Sequence, residues 1–271
     1  MKTALSIAGT DPTGGAGIQA DLKTFAAHRV YGMAAITSVI AQNTLGVTRS
    51  SPVSPELLRA QLDAVFSDIP PDAVKIGMMV NADLIGVTAG TLADCGARNV
   101  VIDTVMVSSS GFRFLDDRAV RALVESLFPL ADIVTPNLPE AEALCGFAVT
   151  DKTGMIRAAE RLMELGSKAV LVKGGHLNDR CEGLRDGPCD DLFLDNSGYE
   201  WLSSPRVLTK NTHGTGCALS SAIAANLALG KAPREAARLA KRYLYGALSA
   251  GLVLGHGKGP FDHSWQNPLL G

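Results

Sequence analysis

The sequence predicts an α/β protein, a three-layer α/β/α arrangement on a mostly parallel central sheet. Apolar runs of strand length recur along the chain, and segments of helical period separate them. The rhythm breaks once, at residues 189–207. Near-continuous apolar strands joined by helical crossovers are covered on both faces, the pattern of a parallel sheet. With 271 residues, 46% hydrophobic and 19% charged, the chain is ample for such a core.

The elements follow in order. ALSIAG (4–9) reads as a strand and GAGIQADLKTFAAH (15–28) as a helix. AAITSVIAQ (34–42) is a strand, and 54–68 a helix opened by Ser54 as cap with Pro55 in its first turn. AVKIGM (73–78) is a strand, followed by a helix over 81–95 capped by Asn81. Strands at 99–103, 132–136 and 168–175 alternate with helices near 116–127, 138–145 and 152–166. Residues 189–207 hold two short alternating strands around Asn196-Ser197-Gly198, a hairpin turn signal. Helices at 215–229 and 233–251 end the series. No linker, repeat or low-complexity segment intervenes, so 1–271 reads as one domain with a small β-hairpin insertion.

Composition excludes several classes of function. A net charge of -2 gives no electrostatic footprint for nucleic acid or an anionic membrane. The stretch 211–230 lacks formal charge, yet it opens on a turn and carries Asn211, Thr212, His213 and Asn226. It reads as a buried helix rather than a bilayer span. The N-terminus, one lysine and a short apolar run ending at Gly9 and Asp11, reads as a first strand and not a signal peptide. Five cysteines (95, 145, 181, 189 and 217) include no CxxC pair, and Cys181 and Cys189 lack partners at zinc spacing. Reduced thiols in a cytoplasmic protein are expected.

In open α/β sheets, ligands sit beyond the carboxyl ends of the strands. The glycine-rich and polar segments of this chain fall there, from Gly9–Gly17 to Lys210–Cys217. In HGTGC, Gly214 and Gly216 let successive N–H groups converge, and the helix that follows adds its positive end, as an anion site needs. An ordinary glycine turn capping a buried helix fits the same residues. GTDPTGGAGIQAD (9–21) is not a Walker A loop, since no Gly-Lys-Ser/Thr follows. Its four glycines imply a backbone that approaches something closely, and Asp21, one turn into the helix, either reaches back to a ligand or faces solvent. Asn137 and Glu140 share one face of a helix start, suiting a capping box or a hydrated Mg²⁺ equally. Asp103 and Lys173 end two strands, where metal and phosphate charge would be met. Gln42 can read the edge of a polar heterocycle, and one of Met78 and Met79 can pack on its face while the other joins the core. His176, His213 and His256 share no zinc spacing. His213 stands beside the glycine loop for phosphate contact or for loop structure.

The ordered set AGTDPTGGAGIQADLKTF, VIAQNTLGV, KIGMM, VIDTVM, TPNLPEA, VLVKGGH, TKNTHGTGC and GHGKGP resembles the hydroxymethylpyrimidine/phosphomethylpyrimidine kinases of thiamine biosynthesis, in the ribokinase-like superfamily. The resemblance spans residues 4 to 263. It implies ATP and Mg²⁺, and phosphorylation of 4-amino-5-hydroxymethyl-2-methylpyrimidine and then of its monophosphate. It places Gly9, Asp21, Gln42, Met78 and Val105 at the pyrimidine, and Asn137 and Glu140, with Asp103 nearby, at the metal. Gly214, Thr215 and Gly216 fall at the anion hole, with Lys173, Lys210 and His213 near the nucleotide phosphates. A homodimer is the assembly it implies.

Where the wider superfamily ends this loop with an aspartate base, the chain has Cys217. At a helix N-terminus a thiol pKa is expected to fall below about 8.5, giving a thiolate base. A small residue that only orients the hydroxyl fits as well. A pyridoxal kinase, as main or side activity, is the alternative function, and a non-catalytic ligand-binding protein on the same scaffold is a third. The segment 106–115 is the candidate lid.

Overall fold

The computed structural model describes residues 1–106, 114–175 and 187–266. The candidate lid lies mostly outside them, as do His176 and Cys181. The central sheet has eight strands. Strands β1 (Thr3–Ala8), β2 (Tyr31–Ile36), β5 (Ala73–Ile76), β6 (Val100–Ile102), β7 (Ile133–Val134) and β8 (Ala169–Val172) run parallel, in the spatial order β2-β1-β5-β6-β7-β8. Strands β9 (Cys189–Asp195) and β10 (Gly198–Ser204) extend it antiparallel beyond β8. This is the hairpin read from Asn196-Ser197-Gly198, now paired into the sheet edge. Because β1 has β2 on one side and β5 on the other, the strand order reverses between β1 and β5, where a ligand crevice opens.

Strand alternation divides the interior into two cores. Leu5, Ile7, Val74, Ile76, Val100, Ile102, Val170 and Val172 face one way. They pack against α2 (Pro55–Asp68), α3 (Ala82–Asp94), α4 (Asp117–Ala122), α5 (Leu138–Cys145) and α6 (Lys152–Glu164). Ala4, Ala73, Val101, Ile133, Ala169 and Leu171 face α1 (Gly17–Ala27), α7 (Thr215–Ala228) and α8 (Pro233–Ser249). The second face is small-sided, so the alanine-rich α7, buried from Ala218 to Ala228, lies close on the sheet. Burial of a small-faced helix accounts for the apolar stretch 211–230. No helix among the described residues is long and apolar enough to cross a membrane.

Helix ends match their expected chemistry. Ser54 Oγ accepts from Leu57 N–H at 3.2 Å and Asn81 Oδ1 from Leu84 N–H at 2.9 Å. One strand expectation needs correction. The run 34–42 is not one strand: the chain leaves the sheet at Thr37, whose N–H donates to Ala8 O at 3.0 Å and whose hydroxyl donates to Met78 O at 2.8 Å. Beyond it, β3 (Ser38–Asn43) pairs antiparallel with β4 (Gly46–Pro52) as a separate flap, with a bulge after Ala41. The polar GVTRSSP carries no apolar alternation, so β4 was invisible to patterning.

Alternation also decides the fate of Lys75. It follows Ala73 by two residues and therefore points at the α1–α7 layer, where it is fully buried. Its ammonium donates to both oxygens of the buried Asp21 on α1, at 2.9 and 2.8 Å. Asp21 also accepts from Ser6 of β1 at 2.5 Å and Ser221 of α7 at 2.7 Å. Burial works against the Lys75 charge, and Asp21 overcomes it, holding the ammonium protonated above its ordinary range. Removing one member leaves an uncompensated buried charge, so Lys75→Met is expected to cost about 3–5 kcal/mol of unfolding free energy. Urea titration measures it, and a loss under about 1 kcal/mol would show that the pair does not hold these layers together.

Candidate active site

A cavity of about 430 Å³ opens beyond the carboxyl ends of the parallel strands. Of the residues singled out in the sequence, Gly9, Gln42, Met78 and Val105 line it from the β1, β3, β5 and β6 ends. Asp103, Asn137, Glu140 and Lys173 line it from the β6, β7 and β8 ends, and His213, Gly214, Thr215, Gly216 and Cys217 from the start of α7. Met79 goes to the core, as one of the two methionines was expected to do. A Cβ on Gly9 would meet the terminal methyl of Met78, so the two residues pack closely at the β1 and β5 ends.

The polar centre is built at three strand ends. Lys173 Nζ donates to Asp103 Oδ1 at 3.0 Å. A Cβ on Gly216 would lie 3.4 Å from both Asp103 Oδ2 and Lys173 Nζ, so the pair sits against the first turn of α7. Asp103 follows Val101 by two residues and Lys173 follows Leu171 by two, which turns both toward that helix. Asn137 and Glu140 form a capping box: Glu140 N–H donates to Asn137 Oδ1 at 2.9 Å, and Asn137 N–H to Glu140 Oε2 at 2.9 Å. Thr104 donates to the same Glu140 oxygen at 3.0 Å. Both readings of the Asn-x-x-Glu pair therefore hold at once, a cap whose side chains also face the cavity. Burial pushes the Glu140 carboxyl above its ordinary range, with Lys173 opposing and Asp103 adding to the rise. Burial also disfavours the Lys173 charge, but Asp103 and Glu140 hold it protonated.

The anion loop is set by Gly214, which caps α7 in the left-handed region at φ 85°. A Cβ there would overlap the Gly15 carbonyl, so both conformation and space demand glycine. The amides of Thr215, Gly216 and Cys217 open the helix without side-chain caps. Such an arrangement can take an anion, while two carboxylates and an amide beside a lysine suit a hydrated Mg²⁺. Among the described residues, no group of three or more His, Cys, Asp or Glu clusters tightly enough to ligate a metal directly.

Three expectations change. Asp21 does not reach the cavity: it is fully buried beneath it, held by Lys75, Ser6 and Ser221. Lys210 is exposed and outside the cavity lining. Cys217 is not a depressed thiol. Burial pushes it up to about 11, and Asp21 and Asp103 add to the rise, against the pull of Lys75 and the Gly17 backbone. The helix-end effect is outweighed by burial, with Asp21 and Asp103 acting in the same direction.

Patterning missed Lys75, Asp11 and Thr44. Thr44, at the flap tip, accepts from Lys258 N–H on its carbonyl at 3.0 Å and from Gly257 N–H on its hydroxyl at 3.1 Å. This fastens the flap to the GHGKGP segment. Its signal was the QNTLG turn itself; a lysine inside the apolar AVKIG run was the signal for Lys75.

At pH 7.5 the Cys217 thiol is expected to alkylate slowly with iodoacetamide, the rate rising about tenfold per pH unit up to the thiol pKa. Peptide mass mapping across pH reads it. A plateau near neutral pH would mean that the thiolate forms there after all.

A family model described as phosphomethylpyrimidine kinase matches residues 11–262. The chain is 51% identical over 263 residues to a hydroxymethylpyrimidine/phosphomethylpyrimidine kinase from Rhizobium meliloti, covering 96% of each. It is 48% identical to the thiamine biosynthesis bifunctional protein ThiED of Geobacter sulfurreducens, and spans 51% of that longer relative. It superposes on a Bacillus subtilis pyridoxal kinase, solved as an ADP complex, with a TM-score of 0.90 at 38% identity, covering 99% of both chains. By the extent of these matches, the chain belongs to the phosphomethylpyrimidine kinase family.

Proposed function

We propose that this protein transfers the γ-phosphoryl group of ATP to the hydroxymethyl of 4-amino-5-hydroxymethyl-2-methylpyrimidine, and then a second phosphoryl to the monophosphate. The observation that carries the reading is the meeting, in one cavity, of the α7 anion loop with the Asp103–Lys173 pair and the residues Gly9, Gln42, Met78 and Val105. On this reading Gln42 pairs with the ring edge, and Met78 packs on its face with Gly9 and Val105. The amides of Gly214, Thr215 and Gly216 hold the moving phosphoryl, and Lys173 offsets its charge. Asp103, Asn137 and Glu140 would hold a hydrated Mg²⁺, which when bound would neutralise phosphate charge.

Phosphoryl transfer through a loose transition state depends on positioning and charge neutralisation more than on a strong base. A neutral thiol suits that requirement. Cys217 then orients the acceptor hydroxyl, whose proton passes late to an oxygen of the transferred phosphoryl group. The family's usual assembly supports a homodimer in the cytoplasm, and a monomer mass in light scattering would sink the dimer.

Incubation with ATP, Mg²⁺ and the pyrimidine alcohol is expected to yield mono- and diphosphate, read by mass; no product overturns the proposal. The likeness to the Bacillus subtilis pyridoxal kinase favours a second reading, phosphorylation of pyridoxal. The expected kcat/KM is higher for the pyrimidine, and the reverse order would promote the second reading. Cys217→Ser keeps a small hydroxyl for orientation and is expected to retain turnover within about tenfold. A loss of about 10²–10⁴ would restore the base role.

A further inference from the structure

The glycine loop after β1 encloses an anion of its own. Asp11 is fully buried. Its Oδ1 accepts from the Thr13 N–H at 2.9 Å and the Thr13 hydroxyl at 2.8 Å. Its Oδ2 accepts from the N–H groups of Gly15 at 3.1 Å and Ala16 at 2.7 Å, where α1 begins. Burial alone would raise this carboxyl, yet hydrogen bonds from His213 and Thr13 hold it well below the usual carboxylate range. Of the four glycines of the loop, Gly15 gives its amide to Asp11, while Gly9, Gly14 and Gly17 lie close to Met78, Lys23 and the Gly9 carbonyl. Asp11 thus takes the two amides just before α1 from within the loop, while Ala16 and Gly17 line the cavity together with the start of α7.

His213 joins the two. Its Nε2 lies 2.8 Å from Asp11 Oδ2. A Cβ on Gly15 would stand 2.5 Å from the His213 ring carbon Cδ2, so the imidazole lies flush on the first loop. The backbone N–H of His213 donates to Gly259 O at 3.1 Å, drawing in the C-terminal segment. The next residue, Gly214, has its Cα side against the Gly15 carbonyl. The register of the anion loop is therefore fixed against the Asp11 loop on both sides of one peptide.

We propose that Asp11 and His213 form a latch that sets the position of the Gly214–Gly216 amides, and that His213 is a positioning residue rather than a phosphate contact. The nitrogen nearest the first loop is already committed to a carboxylate, and a second anion brought to it would meet that charge. The kinetic consequence rests on the kinase reading above; the structural coupling does not.

The test compares Asp11→Asn, His213→Gln and the double variant, with thermal melting to confirm that each is folded. In amide hydrogen exchange of the nucleotide-free protein, Asp11→Asn is expected to speed exchange in 211–217, and His213→Gln in 9–17. In turnover, each single variant is expected to lower kcat by about tenfold or more with KM for ATP within about twofold, and the double to be no worse than the worse single. Exchange confined to the substituted segment overturns the latch. So do additive kinetic losses, or a raised KM for ATP in His213→Gln alone. A wild-type protein without turnover would sink the kinase reading and leave hydrogen exchange to decide the latch.

Discussion

The buried ion pair between Asp21 and Lys75 is the constraint on which the rest of the site depends. Neither side chain reaches solvent, and taking each charge out of water costs several kcal/mol. The return is geometric. One carboxylate is held by Lys75 on β5, Ser6 on β1 and Ser221 on α7, while it belongs to α1. Ser221 lies four residues after Cys217, on the same face of α7. The hydrogen bond to Asp21 therefore fixes the rotation of that helix one turn below the sulfur and the anion loop. Both helices that begin at the cavity are pinned by one group beneath it.

Strand alternation connects this pair to the chemistry above it. Lys75, Asp103 and Lys173 occupy positions whose parity turns them toward α7. On β1 and β5 the neighbours on that face are small, with Ala4 and Ala73 making room for a helix whose own residues there include Ala222, Ala225 and Ile223. A larger residue at those strand positions would lift α7 and carry its N-terminal amides away from Asp103 and Lys173. The plain alanine-rich run after the glycine loop is thus part of how the anion site is held at working distance.

Much of this was legible in the sequence because it depends on local rules. Periodicity located the parallel strands and the helices. Ser54, Asn81 and Asn137 marked helix starts through hydrogen bonds within three residues. The convergence of segments followed from the strand-end rule and from motif order. What escaped depends on partners far apart in the chain. Asp21 looked free to reach a ligand because nothing local reveals a lysine 54 residues away. The contact that ties His213 into loop structure was hidden because Asp11 stands 202 residues before it. The flap was misread because Thr37 ends a strand through tertiary hydrogen bonds, inside a run whose side chains give no sign of a break.

The same distinction resolves Cys217. A helix N-terminus favours thiolate, and that rule operates within the first turn. The surroundings that oppose it come from elsewhere: Asp21 on α1, Asp103 after β6, and a buried wall. An aspartate at this position, as in the wider superfamily, would bring a third carboxylate beside those two. Like charges at close range resist joint ionisation. A cysteine fills the position with a small group whose thiol is pushed up by burial and by Asp21 and Asp103, so it adds no third carboxylate beside those two. The residue that looked anomalous in the loop is therefore what its buried neighbours permit.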